Sequence, residues 1–382
     1  MRVEIIRHRI GRYLTLSRLV LAGCAGILAL QPRIAAEQAT RPLAGQWRIF
    51  PRAPFAGPAD GEITARLRRH VDLVAAQLAP DGADVPPGRL VDSLIAGNAR
   101  THLFRLESLL RVYERAFPDL DKYLAAVKEV EDGLGAYLLA VDSLKFAEDK
   151  FRARNQTRAA EQETIVKALQ KKAERERVVL AKLLERSTLG ADLAELRTLV
   201  DSSFVGWGRP KDLAHVTREL QRVLTNVRDG RFDFHRLDDI HEFRRRLRWF
   251  PILIDSLDGL VLLRADAPGA CPVPALEALS GSHAAQHRYS NPPLRFPATR
   301  PCTISRCLLW QIVKTVDDLG RVKDEAEGEA AVHAALDEHE VEVASSNAVT
   351  REEIARATAS RTELYSSRAL DSLVAQLSAC KP

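Results

Sequence analysis

Apolar residues recur at helical intervals along most of the chain. Ile63, Leu67, Val71 and Val74 stand four, four and three apart, the stripe of a helix that buries one face. A Pro/Gly break over 80–88 follows. Helical patterning returns over 90–117, stopped by Pro118, and again over about 120–144. Residues 145–186 are strongly polar, with opposite charges three or four apart, as on a solvated helix face. Gly206-Trp207-Gly208-Arg209-Pro210 marks a boundary at which Pro210 opens a helix reaching Val227. A further helical region covers 237–263. Residues 266–301 then break the pattern with Pro, Gly and Ser and read as a long irregular insertion. Helix resumes over 302–340. Thr350 and Glu353 have capping-box spacing and open a last helix towards Leu377. No stretch sustains a two-residue alternation, so the expected fold is all-α.

Composition agrees. Of 382 residues, 46% are hydrophobic and only 6% aromatic, a globular mixture that favours helix over sheet. The net charge of +5 misleads. Residues 1–36 hold six arginines against Glu4 alone, so the rest of the chain is neutral overall. Any attraction to a polyanion must therefore come from a local patch.

The first segment has the form of an export signal. Arginines up to Arg18 precede an apolar run over 19–30, followed by small residues suited to cleavage after Ala36. The run is too short to span a bilayer, which needs about 20 apolar residues. An amphipathic helix is the plainer alternative. Leu21-Ala22-Gly23-Cys24 also has the form of a bacterial lipobox, which makes Cys24 a candidate lipid anchor. Residues 37–60, rich in Pro, Gly and Ala, read as a tether. These features place the chain outside the cytoplasm, in a bacterial periplasm or cell envelope. Cys271, Cys302, Cys307 and Cys380 would remain, forming two disulfides in one of three connectivities or staying free and buried.

Two places in the chain look alike. His102-Leu103-Phe104-Arg105 is followed by Val127-Lys128-Glu129-Val130-Glu131-Asp132, with Leu134-Gly135 just beyond. His241-Glu242-Phe243-Arg244 is followed by Val313-Lys314-Thr315-Val316-Asp317-Asp318, with Leu319-Gly320 just beyond. The repeated order suggests an internal duplication, with a first helical half over 61–205 and a second over 206–345, the insertion lying in the second. A C-terminal helix over 346–382 completes the chain.

The arrangement resembles the CHAD family, the conserved histidine α-helical domain, over about 89–342. The resemblance implies two related helical halves, each carrying a His and basic residues on one helix face. It also implies binding of inorganic polyphosphate without chemistry, with no cofactor. The run His241-Glu242-Phe243-Arg244-Arg245-Arg246-Leu247-Arg248-Trp249 carries it best. The first half departs from the pattern: His102 and Arg105 stand correctly, but Leu109 occupies the position seven after His102, and Arg100 stands at the helix start.

The residues themselves support a site in the second half. Arg244, Arg245 and Arg248 follow His241 by three, four and seven and share its helix face. Ile240, Phe243, Leu247 and Phe250 form a separate apolar stripe. Close guanidinium groups repel one another unless an anion lies among them, and Arg matches phosphate oxygens in bidentate fashion. His241 adds a donor that pH can tune. Asp238, Asp239 and Glu242 stand close by and could instead neutralise a solvated basic face. The expected polyanion site is His241, Arg244, Arg245 and Arg248, faced by His102 and Arg105 from the other half.

His283, His287, Cys302 and Cys307 are a weaker candidate constellation, with residue types that zinc accepts. No nucleophile elbow, H-E-x-x-H or Gly-rich phosphate loop occurs. The expected function is non-catalytic polyanion binding. The alternative is a periplasmic helical scaffold or adaptor that docks another protein.

Overall fold

The computed structural model describes residues 62–79, 86–153, 159–204, 206–266, 283–295, 302–337 and 350–380. The export signal, Cys24, the tether, Cys271 and most of the 266–301 insertion lie outside them. The described residues are all-α apart from one pair of short strands.

Helix α1 (Glu62–Leu78) buries the predicted stripe, Ile63, Leu67, Val71 and Val74. The single helix expected over 90–117 is two. Helix α2 (Pro87–Ala96) ends where Gly97 donates its N–H back to the Ser93 carbonyl, and Asn98 adopts a φ of 53°. Asn tolerates that left-handed conformation, so the chain turns before α3 (Ala99–Tyr113) begins. Pro118 starts a single 3₁₀ turn, Pro118–Leu120. Helix α4 (Asp121–Ala153) then runs well past residue 144 and pairs along its length with α5 (Ala159–Arg186). Ala147, Ile165 and Leu169 meet Ala331, Val332 and Ala335 in a small separate apolar cluster.

Helix α6 (Leu189–Ser203) leads to the predicted boundary, where Gly206 takes a φ of 71°. Pro210 stands in the first turn of α7 (Arg209–Arg228). Helix α8 (Leu237–Ser256) buries Ile240, Phe243, Leu247 and Phe250 completely. It stops earlier than expected because Asp258 and Gly259 both take positive φ. The chain leaves them as strand β1 (Val261–Arg264), which pairs in parallel with β2 (Cys302–Ser305), Val261 opposite Cys302. A parallel pair needs a long crossover, and the insertion, which includes the one-turn helix α9 (His283–Gln286), supplies it. The strands were not foreseen because four residues are too few to show a period.

Helix α10 (Arg306–Asp337) follows β2 directly. The capping box opens α11 (Arg351–Ser366) as predicted: the Glu353 N–H donates to Thr350 Oγ1 and the Thr350 N–H to Glu353 Oε2. The last helix is broken once, at Arg368 with a φ of 51°, before α12 (Ala369–Ala379). A Cys302–Cys380 disulfide ties the end of α12 to β2, and Cys307 is disulfide-bonded as well.

The stretches 61–205 and 206–345 do not pack as two separate bundles. Helix α3 lies on α4 and α8 on α10, while α3 contacts α8 and α4 contacts α10. One continuous core runs through all four.

Candidate functional site

A cavity of about 1270 Å³ opens beside this four-helix junction, with α7 and α11 contributing to its wall. Helix α8 sends His241, Arg244 and Arg248 to it, because its opposite face is fully committed to the core. Arg245 and Arg246 also border it but are exposed and tied to Glu242, at 2.6 and 2.7 Å. The expected row is therefore split. Of its three arginines, Arg245 is neutralised on its own helix, and Arg244 and Arg248 are not.

Arg244 donates from Nε to the Val316 carbonyl at 3.2 Å. Its guanidinium lies flat against Gly320, where a Cβ would come within 3.1 Å of it. Burial lowers its pKa from the ordinary value. Arg248 is more isolated still. Its guanidinium sits 4.7 Å from the Phe104 ring centre and 5.7 Å from that of Trp249. Its Nε is buried without a hydrogen-bond partner. Burial first, and the neighbouring Arg244 charge second, pull its pKa down to about 10. Among the described residues, neither Arg244 nor Arg248 has a carboxylate within ion-pair distance.

From the first half, the cavity receives Arg100. Arg100 donates from Nε to Glu131 Oε1 at 2.8 Å and stands over the other face of the junction, 5.1 Å from the Phe104 ring centre. It covers Gly135, where a Cβ would fall 2.8 Å from its Nη2. The two similar sequence stretches thus end in similar contacts, each glycine lying under an arginine from the preceding helix of its pair. Lys128 and Asp132 form an ion pair one turn apart on α4, and Lys314 and Asp318 do the same on α10.

His102 and Arg105 do not face this row. They belong to a second cluster, formed with α1 and the end of α8. Arg105 donates from Nε to the buried Asp255 at 2.5 Å. Arg69 reaches Asp258 at 2.8 Å, and His70 stands 3.2 Å from the same carboxylate. His102 Nδ1 is buried without a partner. Burial chiefly, then Arg105, lowers the His102 pKa. His241, in the cavity, is also lowered, by burial and by Lys323. Its proton therefore comes on at a lower pH than an ordinary histidine's.

The cavity is not the uniformly basic groove expected. Asp and Glu line it in nearly the same number as Lys and Arg. Most are paired: Glu107 with Arg111 at 2.7 Å, Glu131 with Arg100, Asp132 with Lys128. These carboxylates lie on other helices than the basic row, and no local spacing connects them to it. Gly135 and Gly320 were visible in the sequence repeat, but only packing reveals that arginines lie on them.

The zinc constellation is overturned. Cys302 is bonded to Cys380 and cannot offer a thiolate, Cys307 is also in a disulfide, and among the described residues no three metal-ligating side chains converge. No helix among the described residues is long and apolar enough to cross a membrane. No family model matches this chain, and no curated protein or solved structure matches it either.

Proposed function

We propose that the protein binds a phosphate-rich polyanion, inorganic polyphosphate being the first choice, without chemistry, as a divergent exported relative of the CHAD family. The observation that carries the reading is the pair Arg244 and Arg248. Two partly desolvated guanidinium groups stand side by side on a cavity wall with no carboxylate within ion-pair distance among the described residues. Burying an unpaired cation is costly, and an anion among several donors removes that cost. Arg remains charged at physiological pH even at a pKa of about 10, so both groups are available to phosphate oxygens. Arg100 supplies a third guanidinium from the opposite helix pair, taking the place expected for His102 and Arg105.

The test is binding of labelled polyphosphate across a salt series, to the wild type and to an Arg244→Ala/Arg248→Ala variant. Two lost phosphate contacts are expected to weaken binding by about 100-fold at low salt and to flatten the salt dependence. Equal affinity and an equal salt slope in the two proteins would remove the site. The docking-scaffold alternative gains little support. Among the described residues the large exposed hydrophobics are Ile95, Leu139, Val178, Val179 and Leu294, on α2, α4, α5 and the loop after α9.

A further inference from the structure

The cavity has room for a chain, but few of its cations are free to hold one. Arg111 meets Glu107 and Lys128 meets Asp132, both at 2.7 Å. Arg222 meets Glu219 at 2.7 Å, and Lys323 meets Glu327 at 2.6 Å. Arg245 and Arg246 share Glu242. Among the described residues, the lining cations with no carboxylate within ion-pair distance are Arg244, Arg248 and Lys145. Lys145 is exposed on α4, where water solvates its charge.

The other two stand close together. They are four residues apart on α8, a spacing that separates Cβ atoms by about 5–6 Å. The Phe104 ring brings a third guanidinium near them, since Arg248 lies 4.7 Å and Arg100 5.1 Å from its centre. Arg100 gives Nε to Glu131, and its terminal nitrogens make no hydrogen bond among the described residues. A compact phosphate group can bridge such a cluster with charge-assisted hydrogen bonds. A chain that continues past it gains little. Beyond the cluster the cations are already neutralised, and carboxylates are nearly as numerous as cations. Each further phosphate would have to displace an ion pair or face a like charge.

We infer that the cavity recognises a short unit, at most about three joined phosphate groups on Arg244, Arg248 and Arg100, and does not track a long chain. This deepens the polyanion reading and rests on it, since both use the same arginines. The unit exists free, as in tripolyphosphate, and as a segment of a polymer.

The experiment measures binding of tripolyphosphate and of a polyphosphate of about 100 units to the full chain across a salt series. Three contacts predict a long-chain slope of about −2.1 or shallower, by analogy with single-stranded nucleic acids. The two affinities are expected to agree within about tenfold once both are counted per three phosphate groups. Tripolyphosphate binding without long-chain binding also supports the inference and assigns a free short ligand. A steeper slope means additional contacts along the chain and overturns the inference while keeping the polyanion reading. So does a long-chain affinity beyond the tenfold margin, or long-chain binding with none of tripolyphosphate. These readouts use the wild type alone, so none depends on a variant that must fold. Binding of neither probe overturns the inference and the polyanion reading together.

Discussion

The protein contains two clusters of arginine and histidine that look alike in sequence and differ in what surrounds them. Around α3, Arg105 and Arg69 each meet a buried carboxylate directly, Asp255 and Asp258. On α8, Arg244 and Arg248 meet a carbonyl, glycine and aromatic rings, but no carboxylate within ion-pair distance among the described residues. Both clusters follow His-x-x-Arg spacing. That spacing puts the two side chains on one helix face. Whether the cation is then consumed in the fold or left for a ligand depends on the element packed opposite. The cations of the first cluster are paired within the fold, and those of the second line the cavity without a direct carboxylate partner among the described residues.

The largest expected effect is at Asp258. Its carboxylate is fully buried and serves Arg69 at 2.8 Å and His70 at 3.2 Å. Asn keeps the shape and tolerates the 50° φ, so Asp258→Asn tests the charge alone. It leaves Arg69 half-buried without a counter-charge and is expected to cost about 2–4 kcal/mol in urea unfolding. A loss under about 0.5 kcal/mol would mean that the α3 cluster does not stabilise the fold and would erase the contrast.

Arg248→Met makes the opposite test. It removes an unpaired cation and keeps an unbranched apolar stem against Phe104 and Trp249. Unfolding is expected to shift by no more than about 1 kcal/mol, and in either direction, while anion affinity falls about tenfold or more. A strongly destabilised variant would show that Arg248 is structural. Such separation of stability from function is common where a site holds groups that the fold itself does not need.

Acidification gives a smaller effect that reads both clusters. His70 and His102 in one, and His241 in the other, all have pKa values lowered below 6.5, in each case chiefly by burial. The folded state therefore binds fewer protons than the unfolded state just below that value. Stability is full above it and declines as pH falls through about 6.5. Thermal unfolding across that range is expected to show the decline. Bound polyphosphate should reduce it, since an anion beside His241 favours its charged form. A midpoint that is flat across this range, with and without ligand, would contradict the burial of these histidines as neutral groups.

Much of the fold was legible. The α8 stripe, the Pro210 start of α7 and the Thr350–Glu353 capping box are local features, set by neighbours three or four residues away. The breaks at Asn98, Asp258 and Arg368 were missed, because each is a single residue in left-handed conformation inside an otherwise helical pattern. Such a residue is permitted by local chemistry and selected by packing. The strand pair was missed for the related reason that its hydrogen bonds join residues about 40 positions apart. In the site, the His241, Arg244 and Arg248 face was readable. The pairing of Arg245 and Arg246 with Glu242 was within reach too, since it lies three and four residues away on the same helix.

By itself, then, the sequence determined that the chain is helical, where most helices begin, and which side of α8 is apolar. Those properties depend on the 3.6-residue period and on capping groups, both of which act within one or two turns. The tertiary structure alone decided that Arg105 is held by Asp255, that Arg100 rather than His102 reaches the cavity, and that Arg244 and Arg248 stand on its wall with no carboxylate within ion-pair distance among the described residues. Those outcomes depend on charges brought together from separate helices. A Coulomb interaction follows distance and burial in space, which no spacing along the chain records.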